Sequence, residues 1–155
     1  MKLKPALLVY WLLAGAIFGA SFSAILVASG QPFPQSPSSL AITLVGIAIA
    51  VYLATLPIQR YKRQLEKKPN SKIARPNPLT AFRLFVLSRA TTIAAAGFVG
   101  WHLGQLIWLV SFTLSPAGLV GPTLYGLLAS VAMLAGGLVA ESNCKLPKDP
   151  DGEAA

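Results

Sequence analysis

The sequence predicts an all-α membrane protein with four transmembrane helices, arranged as two hairpins with both termini cytoplasmic. Three observations carry that prediction. No Asp, Glu, Lys or Arg occurs from Pro5 to Gln59 or from Ala90 to Ala140, so all thirteen basic residues lie outside two long charge-free windows. A charge at the bilayer centre costs roughly 3 kcal/mol even on insertion scales, so such windows mark chain that crosses lipid. A 155-residue chain that is 54% hydrophobic and 12% charged also lacks the polar surface of a soluble domain. Finally, each window holds two apolar runs around an uncharged turn, each near the twenty or so residues a crossing helix needs. The chain therefore forms a single four-helix domain, 1–155.

The first helix spans about 6–29, opened by Pro5, which suits a first helical turn. Its apolar run exceeds the roughly seven to fifteen residues of a signal-peptide core, so it reads as a retained helix. Gly30 to Pro37, with three prolines and no charge, is an extended loop leading to a Ser38 cap. The second helix covers about 39–57. Pro57 removes a hydrogen bond to Leu53 and permits a bend at headgroup level, beyond which Gln59 to Lys68 reads as a basic helical continuation within the loop 58–77.

Asn77-Pro78 caps the long third helix, 79–112, which at the standard rise is roughly 50 Å and exceeds a bilayer core. Its first turns lie in the interface, where Arg83 and Arg89 snorkel beside Leu79, Phe82, Phe85 and Val86. After a turn at Leu114 to Gly118 the fourth helix runs from Pro122 to Glu141, followed by a polar tail, 142–155. Lys2, Lys4 and the middle loop carry the basic residues and both hairpin turns carry none, which puts the termini and that loop in the cytoplasm.

Small residues recur every four positions on each helix: Gly15, Gly19 and Ser23; Gly46, Ala50 and Ala54; Ala96, Gly100 and Gly104; Ala132, Gly136 and Ala140. Such rows let backbones approach closely, the main source of helix association in lipid. They pack the bundle internally, and one row in excess of that need would dock a partner helix.

His102 is the one ionisable residue at mid-bilayer, with Gln105 a turn further along the same face. A neutral imidazole needs only a hydroxyl such as Ser130 at similar depth, which makes His102 structural. The sharper alternative is a polar cleft of His102, Gln105, Thr91, Thr92 and Ser130 that binds a small solute or lipid. Cys144 is the only cysteine, so there is no intrachain disulfide, and half a bilayer separates it from His102. Paired core carboxylates, metal-ligand spacings and phosphate loops are absent from the sequence, so no catalytic residue, cofactor or metal is expected and an enzyme is disfavoured.

The middle loop and its flanks hold Arg60, Lys62, Arg63, Lys67, Lys68, Lys72, Arg75, Arg83 and Arg89 against the single acid Glu66. Each such charge contributes about 1 kcal/mol beside an anionic leaflet, so the segment contacts anionic lipid headgroups. Nucleic acid is not the expected partner, because the middle loop has no interleaved aromatic beyond Tyr61 and no recognisable nucleic-acid-binding fold.

Pro78-Leu79-x-Ala81-x-Arg83, Leu87-x-Arg89-Ala90, Ala96-Gly97-x-x-Gly100-Trp101-x-x-Gly104 and Glu141-x-x-Cys144-x-x-Pro147 together resemble an actinobacterial family of small four-helix membrane proteins, domain of unknown function 3180. The resemblance covers nearly the whole chain. It implies an actinobacterial plasma membrane, genes that often neighbour those of folate biosynthesis, and no established catalytic residues. It also implies an aromatic at the position of His102 in many relatives, which weakens a proton-transfer role. The resulting expectation is a non-enzymatic accessory or scaffold, acting through helix contacts and a basic loop on a membrane-protein partner or on further copies of itself. The alternative is a solute or lipid binding and transport protein built on His102 and Gln105.

Overall fold

The computed structural model describes residues 5–67, 77–111 and 117–144, with Leu65, Glu66, Lys67 and Ala117 described by backbone alone. The described residues are all-helical: α1 (Pro5–Ala28), α2 (Ser38–Lys67), α3 (Pro78–Ser111) and α4 (Ala117–Cys144). Each is long and apolar enough to cross a bilayer, so the chain is a multi-pass membrane protein. Lys68, Lys72, Arg75 and the tail beyond Cys144 lie outside the described residues.

The helix ends follow from local chemistry. Gly30 adopts φ 73° and closes α1 in a Schellman turn, with Gly30 N–H donating to the Val27 carbonyl at 3.0 Å and Gln31 N–H to that of Leu26 at 3.0 Å. Asn77 caps α3 by accepting the Leu79 N–H on Oδ1 at 3.0 Å, with Pro78 in the first turn. Ser38, expected as the cap of α2, is instead its first residue, and the Pro37 carbonyl accepts the Leu40 N–H at 2.9 Å.

Pro57 lies inside α2, which continues to Lys67, so the basic helical continuation expected beyond it is present as part of α2, and residue 58 does not begin a loop. The helix forgoes one bond there, at Leu53, whose side chain faces outward. Pro122 does not begin α4 but sits five residues after its start at Ala117. Only the first four N–H groups of a helix lack a helical acceptor, so Pro122, the sixth residue, forgoes the bond to the Gly118 carbonyl.

The helices pack in an order different from their order in sequence. Among the described residues α1 packs on α3 alone, α3 on α4, and α2 on α4 with a smaller contact to α3. α1 and α2, although consecutive, flank α3 without packing on each other.

The α1–α3 contact is made of glycine. A Cβ on Gly100 would lie against the Leu12 carbonyl, one on Gly104 against that of Ala16, one on Gly15 against that of Gly97 and one on Gly19 against that of Trp101. Rising numbers pair with rising numbers, so α1 and α3 run parallel. Without a hydrophobic gain between helices in lipid, this backbone proximity supplies the attraction through dispersion. On the other side, Gly136 of α4 faces Ala48 of α2, and Leu44, Ala48, Ala95, Ala129 and Met133 form the apolar core.

Gly46 and Ala50 of the α2 row do not take part. A Cβ on Gly46 would meet nothing within 4 Å, and Ala50 is exposed, because the packing face of α2 is Leu44, Ala48, Val51, Thr55 and Ile58. Gly46 and Ala50 therefore point outward, correcting their expected packing role, while Ala54 is half-buried.

Candidate functional site

Polar side chains line the buried seam of the bundle. Ser88, Thr92, His102, Gln105, Thr123 and Ser130 are fully buried on α3 and α4. Most of these hydroxyls are satisfied on their own helix: Ser88 donates to Leu84, Thr91 to Leu87, Thr92 to Ser88, Thr123 to Leu119 and Ser130 to Gly126, at 2.7 to 3.0 Å. Asn143 Nδ2 reaches Thr55 Oγ1 at 3.5 Å, tying α4 to α2.

His102 is the centre of the seam. Its Nδ1 lies 2.8 Å from the Phe98 carbonyl and 3.0 Å from Ser130 Oγ, and its Nε2 lies 3.0 Å from Ser36 Oγ. A bare Nδ1 would set a lone pair against the carbonyl oxygen of Phe98, so the neutral tautomer with the proton on Nδ1 fits. In that form Nδ1–H is shared by the Phe98 carbonyl and Ser130 Oγ, while Nε2 accepts the Ser36 hydroxyl. The ring occupies space that a glycine leaves, since a Cβ on Gly126 would collide with it.

Gln105 donates from Nε2 to the Pro34 carbonyl at 3.0 Å, while its buried Oε1 has no hydrogen-bond partner. Three residues further along α3, Trp108 stacks on Phe33 with ring centroids 5.6 Å apart. The loop after α1 thus runs back along α3, Phe33 at Trp108, Pro34 at Gln105 and Ser36 at His102. His102 stands nine residues before the end of α3, so the loop descends roughly 13 Å below that end before α2 begins.

Irregular backbone at membrane depth survives only where protein satisfies its polar groups. Here three of the seven residues from Gln31 to Pro37 are prolines, which carry no N–H to satisfy, and Gln31 N–H is already bonded to α1. His102 and Gln105 supply partners for the Ser36 hydroxyl and the Pro34 carbonyl. Their geometry is that of a latch holding a re-entrant loop, and the loop is what lets the chain pass across α3 from α1 to α2.

Of the residues expected in a polar cleft, His102 and Ser130 meet and Gln105 sits a turn away on the loop. Thr91 and Thr92 lie more than two turns further down α3, Thr92 packed against Gly137 of α4, and do not join them. Ser36 and Pro34 were not legible as partners in the sequence. Their signal was a proline-rich loop without charge, which marks a turn equally well.

At the far end of the seam Cys144 is buried beside Ser88 and Glu141. Ser88 and His102 are fourteen residues apart on α3, roughly 21 Å, so Cys144 and His102 do not act together. Among the described basic residues, Arg60, Arg63 and Arg83 are exposed and Lys62 and Arg89 half-buried. They gather at the end of the bundle where α2 finishes and α3 begins. Lys67 is in α2, its side chain undescribed.

No curated protein and no solved structure matches the chain. The family model described as protein of unknown function (DUF3180) matches residues 8–148, which takes in α2, α3, α4 and all but the first three residues of α1. The chain belongs to that family, DUF3180.

Proposed function

We propose that the chain is a non-enzymatic accessory or scaffold protein of an actinobacterial plasma membrane, with its basic end in the cytoplasm, that binds another membrane protein through α2. One observation carries the reading. Of the four small-residue rows, those on α1 and α3 face each other and Gly136 of α4 faces Ala48, whereas Gly46 and Ala50 on α2 point outward with open space at Gly46. A glycine and an alanine four residues apart on a lipid-facing surface allow a second helix to approach closely.

The basic end of the same helix supports it. α2 continues ten residues beyond Pro57 and carries Arg60, Lys62 and Arg63, a rigid arm suited to anionic headgroups or an acidic partner surface. A solute site at His102 is less well supported, because the imidazole, Ser130 and Ser36 spend their hydrogen bonds on one another.

The test is in-membrane crosslinking of the tagged full chain followed by mass spectrometry, beside Gly46→Leu and the triple change of Arg60, Lys62 and Arg63 to Gln. The expected result is one membrane polypeptide at near-equal amount, lost in Gly46→Leu. Recovery of no protein at stoichiometric amount, or of a partner unaffected by Gly46→Leu, overturns the reading.

A further inference from the structure

A groove of about 900 Å³ runs along the outside of the α1–α3 contact, away from α2's small row. Its walls are Trp11 and Phe18 of α1 with Phe98 and Trp101 of α3, and its floor is Ala94 and Gly97. The floor is low because the residues are small: Ala94 is exposed and a Cβ on Gly97 would meet nothing within 4 Å. Toward the re-entrant loop the groove is closed by aromatic rings, Phe18 and Phe22 lying 5.3 and 5.5 Å from Trp101. Toward the basic end it extends to Ala90.

We propose that this groove holds the acyl tail of an anionic phospholipid, from the leaflet at the basic end, with the lipid phosphate on Arg83. From Ala90 to Trp101 is eleven residues, about 16 Å, which matches half of the roughly 30 Å hydrocarbon core and so one leaflet's chain.

Charge selects the headgroup. Arg83 precedes Ala90, Ala94, Gly97 and Trp101 by 7, 11, 14 and 18 residues, spacings that return to one helix face. It is exposed, and its position about 10 Å before Ala90 puts it among headgroups when the groove lies in hydrocarbon. The guanidinium meets a phosphate through two parallel N–H donors. Exposed Leu79, Val86 and Leu87 around it keep this part of α3 at the interface.

Tryptophan fluorescence reads the occupancy directly, since Trp11 and Trp101 line the groove. The full chain is reconstituted in phosphatidylcholine vesicles with a minor fraction of phosphatidylglycerol, with bromine-labelled acyl chains on one lipid or the other. At equal mole fraction, brominated phosphatidylglycerol is expected to quench at least three times as effectively as brominated phosphatidylcholine. Arg83→Gln and Gly97→Leu should each bring that ratio to about one while helicity and thermal unfolding stay at the wild-type values. Should Gly97→Leu fail to fold, Ala94→Phe fills the same floor from an exposed position. Equal quenching by the two lipids in the wild type, or a ratio that survives either change, overturns the proposal. Weak quenching by both lipids together with a crosslinked second polypeptide over Trp101 overturns it too. Gly46→Leu leaves the ratio unchanged, so failure here is separable from failure of the α2 docking reading.

Discussion

Replacing His102 with Leu, alone and combined with Ser36→Ala, isolates the latch on the re-entrant loop. His102→Leu removes the acceptor 3.0 Å from Ser36 Oγ and the donor 2.8 Å from the Phe98 carbonyl. Ser130 keeps its bond to Gly126 at 2.7 Å, and the Phe98 carbonyl already sits in a helix, so the loss falls mainly on Ser36. Hydrogen bonds between helices in lipid average about 0.6 kcal/mol and reach about 1.7, and a polar group left buried without a partner costs about 1–3 kcal/mol. Ser36 is half-buried, so His102→Leu is expected to cost about 0.5–1.5 kcal/mol through the lost bond, whereas Ser36→Ala leaves Nε2 of the fully buried His102 without a donor and should cost about 1–3 kcal/mol. Because both remove one bond, the double-mutant cycle should return a coupling of about 0.6–1.7 kcal/mol. The assay is reversible unfolding of the full chain in bicelles, with Trp11 and Trp101 changed to Phe throughout so that Trp108 emission reports whether the loop's Phe33 remains stacked. A coupling within about 0.3 kcal/mol of zero, inside ordinary additivity error, refutes the latch.

Two further substitutions probe the glycine contacts. Gly104→Val puts a Cβ against the Ala16 carbonyl and should detach α1 from α3, with a loss of about 3 kcal/mol or more; an unfolding transition like that of the wild type would contradict the contact. Gly126→Ala, which drives a methyl into the His102 ring, should cost about 1–3 kcal/mol in the same assay and become nearly neutral in the His102→Ala background.

The polar seam explains why the most conspicuous residue in the sequence is a poor guide to activity. A lone histidine among apolar residues reads equally as a ligand site or as structural glue, since the two differ only in what lies opposite it. Those partners come from Ser36 on the loop and Ser130 on α4, 66 and 28 residues away, and nothing in their local sequence marks them. The small rows show the same limit. Spacing of four puts Gly15, Gly100 and Gly46 on equal terms, although the first two are pressed against backbone and the third has open space.

The sequence by itself determined four apolar helices, the end of α1 and the start of α3, and the gathering of basic residues at the junction of α2 and α3, but not the end of α2 or the start of α4. These are one-dimensional properties: run length against bilayer thickness, the energy of a buried charge, and capping residues such as Gly30 and Asn77. Only the tertiary structure decided that α1 packs on α3 rather than on its neighbour α2, and that the intervening loop re-enters to the level of His102. In lipid the outward face of a helix is as apolar as most of its packing face, so hydrophobic patterning does not announce which neighbour it packs on. The choice rests on where backbones come close enough for contact, at Gly100 against Leu12 and Gly104 against Ala16, and on which polar groups find partners there.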